Sequence, residues 1–216
     1  MSEEIKIKFK EDYSGKSIYN FIKRVTDIVL SLLGITILSP IILIVIILIK
    51  IESEGSVIFS QDRVGLNGKI FKMYKFRSMV INAEEIKEKL VEKNEMSGPM
   101  FKMKNDPRIT KVGKFIRKTS IDELPQLINI IKGDMSLVGP RPSLPKEVKE
   151  FKPWMLERLV VKPGLTCYWQ VNGRNNIDFE DWMKLDIDYV HNRCIKTDIL
   201  LIFKTFFVLF GDKNAC

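Results

Sequence analysis

Adjacent carboxylates, Asp122 and Glu123, stand at the centre of the stretch Arg117-Lys-Thr-Ser-Ile-Asp-Glu-Leu-Pro-Gln126. They precede a segment in which Leu124, Leu127, Ile128 and Ile131 share one helical face. Pro125 is tolerated only where the first N–H groups of a helix lack partners, which predicts a helix beginning near Asp122. Two readings of the pair stand side by side. In the structural reading Asp122 is an N-cap, or Ser120 and Glu123 form a capping box. In the chemical reading the helix N-terminus keeps Asp122 ionised and able to attack phosphorus. Glu123 can then hold Mg2+, a hard cation that takes carboxylate and phosphate oxygens together. Arg117 and Lys118 are close enough in sequence to neutralise a phosphate.

Other cations carry the same ambiguity. Pro140-Arg141-Pro142 holds an arginine between two rigid residues, a setting suited to bidentate contact with phosphate, or to a plain surface turn. Lys75 and Arg77 sit at the end of a β-rich segment and serve either a phosphate or an edge-strand salt bridge. Lys23 and Arg24 precede a long apolar run; Arg24 can pair with Asp27 on a helix, or the two cations can meet a lipid phosphate. Trp169, Gln170, Asn172, Gly173 and Arg174 form a polar-aromatic patch that can stack a base or sugar, or pack into a core. The single histidine, His191, reads as a surface helix residue. Three cysteines without a CxxC pair leave neither a disulfide framework nor a structural zinc site.

These residues need elements to hold them. Residues 28–49, 22 in all, carry no charge. A straight helix of that length reaches ~33 Å, enough for a bilayer core, but Ser39-Pro40 interrupts its middle, where proline kinks or breaks a helix. Lys16, Lys23 and Arg24 precede the run, and Lys50, Lys69, Lys72 and Lys75 follow it, so both flanks are basic. A re-entrant helix-break-helix in one leaflet and a kinked transmembrane helix both fit. The run starts too late and is too long for a signal peptide. Residues 57–64 and 69–76 read as a β-hairpin about Gly65-Leu-Asn-Gly68. Helices are predicted over 83–93, 123–132, 146–160 and 178–193, with loop over 94–108 and irregular structure over 139–145, where three prolines fall. The apolar stretch 199–210 is too short to span a bilayer and reads as a core or interfacial helix.

Across 216 residues, 29% charged and 45% apolar, the composition argues against wholesale disorder and favours one domain. The mean hydropathy of −0.01 averages one apolar segment with a polar body. The net charge of +8 suits anionic headgroups, phosphorylated small molecules or nucleic acid. The uncharged run argues against nucleic acid, because it offers nothing to a polyanion.

Taken together, these segments resemble the bacterial sugar transferases, the monotopic polyprenyl-phosphate phosphoglycosyl transferases. The resemblance is carried by Lys23-Arg24 with Asp27, the Ser39-Pro40 break, Gln61-Asp-Arg-Val-Gly65, Lys75-Phe-Arg-Ser-Met79 and Asp106-Pro-Arg-Ile-Thr110. It continues through Thr119-Ser-Ile-Asp-Glu-Leu-Pro-Gln126, Gly133-Asp-Met-Ser-Leu-Val-Gly-Pro-Arg-Pro142 and Trp169-Gln-Val-Asn-Gly-Arg174.

The resemblance implies an α+β, mostly helical, monotopic membrane protein. A polar lead-in (1–17) would be followed by a re-entrant membrane hairpin (18–51) and a cytosol-facing catalytic domain (52–216) with interfacial helices. It implies transfer of a sugar 1-phosphate from a UDP-sugar to polyprenyl phosphate, with release of UMP. Asp122 would form an aspartyl phosphosugar and Glu123 would bind Mg2+. Arg117, Arg141, Lys75 and Arg77 would contact phosphate or nucleotide, and Lys23, Arg24, Ser39 and Pro40 the membrane or its lipid phosphate. The expected location is the inner leaflet of the bacterial cytoplasmic membrane, with a homodimer as a further expectation. Many relatives carry extra transmembrane helices before this core, so the chain resembles the minimal form. Cys167-Tyr168 and Cys194 depart from the usual pattern.

Overall fold

The computed structural model describes residues 16–88, 90, 103, 105–172 and 177–211, and the architecture is α+β and mostly helical. Residues 1–15, Gly98-Pro99 and Gly173-Arg174 lie outside the described residues.

The apolar run forms the middle of α1 (Ser17–Glu52), and the expected break at Ser39-Pro40 does not end this helix. Pro40 has no N–H to offer the carbonyl of Thr36. The Ser39 hydroxyl donates to that carbonyl instead, at 2.8 Å. Ser39 thus re-satisfies the group that Pro40 frees, as a helix in an apolar medium requires.

Both ends of α1 dock on one body. Near its start, Arg24 donates to Ile130 O and Ile131 O at 2.6 and 2.7 Å, and Asp27 Oδ1 accepts from Ser136 Oγ and Leu137 N, each at 3.0 Å. In the middle, Gly34 leaves room for Leu127. Near its end, Val45 and Ile49 pack with Phe76 and Ile116, and the Glu52 carboxylate accepts from Val112 N at 3.1 Å. The opposite face exposes Leu32, Leu33, Ile37, Leu43, Ile44, Ile47 and Leu48. Among the described residues, α1 is the one helix long and apolar enough to cross a membrane by length and composition.

The predicted hairpin is present as β1 (Ile58–Val64) and β2 (Ile70–Phe76), antiparallel, with Val64 opposite Ile70. Its turn uses left-handed backbone at Asn67 (φ 55°) and Gly68 (φ 82°), where glycine and asparagine carry little penalty. Alternation puts Phe71, Met73 and Lys75 on one face of β2. The register pairs Arg63 with Phe71, so Arg63 joins that face.

After α2 (Ala83–Glu88), whose expected continuation to 93 falls largely outside the described residues, comes α3 (Lys111–Lys118), capped by Thr110 Oγ1 accepting from Gly113 N at 2.9 Å. The helix expected from 123 begins later: Ile121–Glu123 form a 3-10 turn, and α4 spans Gln126–Lys132. Ser120 is left-handed (φ 55°) with no side-chain cap, so neither predicted cap at Ser120 or Asp122 forms. Asn129 fastens α4 to the hairpin, its Oδ1 accepting from Tyr74 N (3.0 Å) and its Nδ2 donating to Lys72 O (2.7 Å).

A short parallel pair was not anticipated: β3 (Ser136–Val138) beside β4 (Gly164–Thr166). Gly139, just after β3, and Gly164, the first residue of β4, approach so closely that a Cβ on either would overlap the other segment's backbone. The helix predicted over 146–160 divides into α5 (Pro145–Val148) and a 3-10 segment (Pro153–Val160), because Pro153 cannot continue a helix begun at 145. After α6 (Tyr168–Val171), α7 (Phe179–Asn192) matches expectation and packs Trp182 and Met183 against Met155, Cys167 and Trp169. α8 (Ile195–Gly211) covers the last apolar stretch and exposes Ile199, Leu200, Phe203, Phe206 and Phe207.

Candidate active site

The left-handed step at Ser120 ends α3 and throws the chain into the turn that carries the carboxylate pair. There Asp122 is 8% exposed. Lys75 reaches across from β2. Its Nζ lies 2.7 Å from Glu123 Oε1 and 3.7 Å from Asp122 Oδ2. Arg141 Nη1 stands 3.9 Å from the same Glu123 oxygen. A seven-residue helix starting at Gln126 supplies little field to Asp122, so these cations take the role that the sequence reading gave to a helix N-terminus.

The electrostatics are opposed. Burial pushes the Asp122 carboxyl above its usual range, and the neighbouring Glu123 charge adds to that. Lys75 works against both, followed by Arg117 and Arg141. An ionised carboxylate here depends on its cations.

Beside the pair opens a cleft lined by Arg63, Met73, Lys75, Glu123, Gln126 and Arg141. Asp122 does not itself form its wall. Arg63 Nη1 donates to Pro142 O at 2.9 Å and Nη2 to Gln61 Oε1 at 2.7 Å. Burial, then the nearby Arg141 charge, lowers the Arg63 guanidinium to about 10, so it stays protonated at neutral pH. The Arg141 guanidinium lies over the Trp169 ring, 5.6 Å from its centroid, and Trp169 stacks on Trp182 at 4.9 Å. Three cations facing two carboxylates leave net positive charge, which suits a diphosphate.

The structure therefore brings together Asp122, Glu123, Lys75 and Arg141. Arg117 lies exposed on the last turn of α3 and acts on Asp122 through its charge. Arg77 has other partners: it donates to Ser53 O and Ser53 Oγ, at 2.8 and 2.9 Å, and to Glu54 O, closing the end of α1. Lys23 pairs with Asp198 at 2.8 Å, and Arg24 caps the last carbonyls of α4. Ser39 and Pro40 are exposed on α1. His191 is an exposed helix residue, 2.9 Å from Glu157.

Two cleft residues escaped the sequence reading, Arg63 and Gln126. Both sit in segments already marked, the Gln61–Gly65 and Thr119–Gln126 runs, but only strand register and the α4 start turn them inward.

For a metal, the donor set is narrow. Among the described residues no three His, Cys, Asp or Glu side chains cluster to hold an ion. Asp122 and Glu123 alone offer hard carboxylate oxygens. That fits Mg2+, which needs only one or two carboxylates when substrate phosphates and water complete its shell.

The chain is 50% identical to the galactosyl transferase CpsE of Streptococcus agalactiae over 194 residues, 89% of this chain and 43% of the relative. It is 43% identical to the undecaprenyl-phosphate galactose phosphotransferase of Salmonella typhimurium, over 99% of this chain and 46% of that protein. It is 39% identical to the UDP-glucose:undecaprenyl-phosphate glucose-1-phosphate transferase of Escherichia coli, over 90% and 41%. The chain thus spans less than half the length of these curated relatives. The bacterial sugar transferase family model matches residues 18–212, a span that includes α1 from its second residue, the hairpin, the carboxylate pair and every wall of the cleft. By that match, the chain belongs to the bacterial sugar transferase family.

Proposed function

We propose that this chain transfers a sugar 1-phosphate from a UDP-sugar to polyprenyl phosphate, in two steps through Asp122. The observation that carries the reading is the Lys75 ammonium bridging buried Asp122 and half-buried Glu123 at the edge of an arginine-lined cleft. In the first step an Asp122 carboxylate oxygen attacks the sugar-bearing phosphorus, and the P–O bond to UMP breaks. In the second, a phosphate oxygen of polyprenyl phosphate attacks the same phosphorus. The Asp122 carboxylate leaves, and a polyprenyl-diphosphate-sugar remains. Lys75, Arg63 and Arg141 offset the substrate charge that would otherwise repel Asp122. Glu123 would hold Mg2+ together with substrate phosphate oxygens, and the ion when bound supplies further neutralisation of that charge.

The membrane geometry supports the same reading. One substrate is water-soluble, and the other keeps its phosphate at headgroup level, so the site belongs at the interface. α1 meets one body at residues 24–27 and again at 45–52 while its other face stays apolar. That favours a re-entrant segment in one leaflet, with the body on the cytoplasmic side of the bacterial inner membrane. α8, with Phe203, Phe206 and Phe207 outward, would lie along the same surface. Lys23 and Arg24 would stand at headgroup level while holding α1 to the body.

The test is UMP release from a panel of UDP-sugars without lipid acceptor, with mass-spectrometric trapping of a phosphosugar adduct on Asp122. One UMP per enzyme is expected, abolished by EDTA and restored by Mg2+. Full turnover by Asp122→Asn would remove the nucleophile assignment.

A further inference from the structure

The buried arginine at position 158 has no part in the chemistry above, and its contacts are specific. Arg158 and Asp186 are each 1% exposed at the side chain and pair at 2.6 Å. Burying two charges costs several kcal/mol per ion unless the remaining donors and acceptors are met. Arg158 directs two donors to one loop, Nη2 to Arg141 O at 2.6 Å and Nη1 to Ser143 Oγ, while its Nε is left without a hydrogen-bond partner. That loop, 139–145, contains three prolines and has little regular backbone pairing of its own, so its carbonyls need donors from outside. Arg63 supplies one from the hairpin side, at Pro142 O. Val64 N supplies one at Ser143 O, Gly164 N one at Pro140 O, and Arg158 the one at Arg141 O from the opposite side.

The same residue also reaches the Arg141 side chain through aromatic rings. The Arg158 guanidinium lies 5.5 Å from the Trp182 ring centroid, Trp182 stacks on Trp169, and Trp169 carries the Arg141 guanidinium. Backbone and guanidinium of Arg141 are therefore both anchored to the 158–186 pair. We propose that Arg158, held by Asp186, is a positioning residue that aims Arg141 at the diphosphate of the nucleotide substrate. This rests on the phosphoglycosyl transferase reading. It adds a specificity element in the 3-10 segment and α7, neither of which touches the carboxylate pair.

Removing Arg158 alone would strand the Asp186 charge, so the main variant replaces the whole pair, Arg158→Met with Asp186→Leu, a change buried pairs often tolerate. Asp186→Asn, which keeps shape and hydrogen-bonding capacity, is the second variant. The probe is UDP, titrated by calorimetry against the full chain in lipid nanodiscs, beside the KM for the UDP-sugar that is turned over. The paired variant is expected to bind UDP about tenfold more weakly and to raise that KM in proportion, with kcat changed less. Asp186→Asn is expected to lose about threefold in the same direction. Added to Arg141→Ala, the paired replacement is expected to cost nothing further, because both act through one guanidinium. A merely structural pair would lower Tm and kcat, leave KM alone, and add fully to Arg141→Ala. Unchanged UDP affinity in both variants, or full additivity, overturns the proposal. If the unaltered chain binds no UDP and releases no UMP, the functional reading itself has failed, a result visible before any variant is made.

Discussion

Lys75 Nζ lies 2.7 Å from Glu123 Oε1, a contact between residues 48 positions apart in the chain. It exists because β2 alternates Lys75 onto the same face as Phe71 and Met73, and because Asn129 ties α4 to the backbone of β2. One ammonium thereby serves two carboxylates.

Lys75→Met should therefore disturb Asp122 as much as Glu123. Burial already raises the Asp122 carboxyl, and Lys75 is its main counterweight. In the proposed mechanism the base form is the nucleophile, so a raised pKa moves the acid limb of activity to higher pH. Without Lys75 that limb is expected to shift further upward, with at least about a tenfold loss of UMP release at pH 7. The kcat/KM–pH profiles of the two enzymes check this, and coincident acid limbs would contradict it.

Arg63 faces the cleft and steadies Pro142 O. Arg63→Met is expected to raise the KM for UDP-sugar about tenfold or more. Arg63→Lys should recover only part of that, because an ammonium cannot reach Pro142 O, Gln61 and a phosphate in the planar geometry of a guanidinium. Steady-state kinetics on the three enzymes decide it.

Arg24 donates to the carbonyls of Ile130 and Ile131 in the last turn of α4, beside the Gly133 N–H that also reaches Ile130 O. Arg24→Met is expected to destabilise the fold by about 1.5–3 kcal/mol, the range for hydrogen bonds to a charged group. Ser39→Ala exposes Thr36 O to an apolar surround and should cost about 1 kcal/mol. Thermal melts in one detergent compare them with the unaltered chain. An unchanged Tm for Arg24→Met would show that water replaces the cap.

Topology is open to direct labelling. Ser17 opens α1, Ser56 follows it, and both are exposed. Cys167 is buried with its thiol pushed up to about 12, so it stays unreactive once Cys194 and Cys216 are replaced by serine. Ser17→Cys and Ser56→Cys should label from the same side of sealed vesicles. Labelling from opposite sides would make α1 a spanning helix and remove the re-entrant reading.

The Pro-Arg-Pro loop and the hairpin were legible because each depends on local rules: proline geometry and an Asn-Gly turn. The β3–β4 pair was not, since each strand is three residues long and their contact depends on Gly139 meeting Gly164 across 25 positions. Arg77 looked like Lys75's companion two residues on. The end of β2 separates them, and Arg77 closes α1 instead.

By itself the sequence determined which chemical groups are present and which segment is apolar enough for lipid, because motif identity and hydropathy need no neighbours. Its chemical reading gave the task of stabilising an ionised Asp122 to a helix N-terminus. The structure moved the helix start past the pair and brought in Lys75, Arg63 and Arg141 from two other segments. It also turned Lys23, Arg24 and Arg77 toward partners within the fold. Those outcomes depend on strand register and on which carbonyls lack donors, quantities that exist only once distant segments pack together.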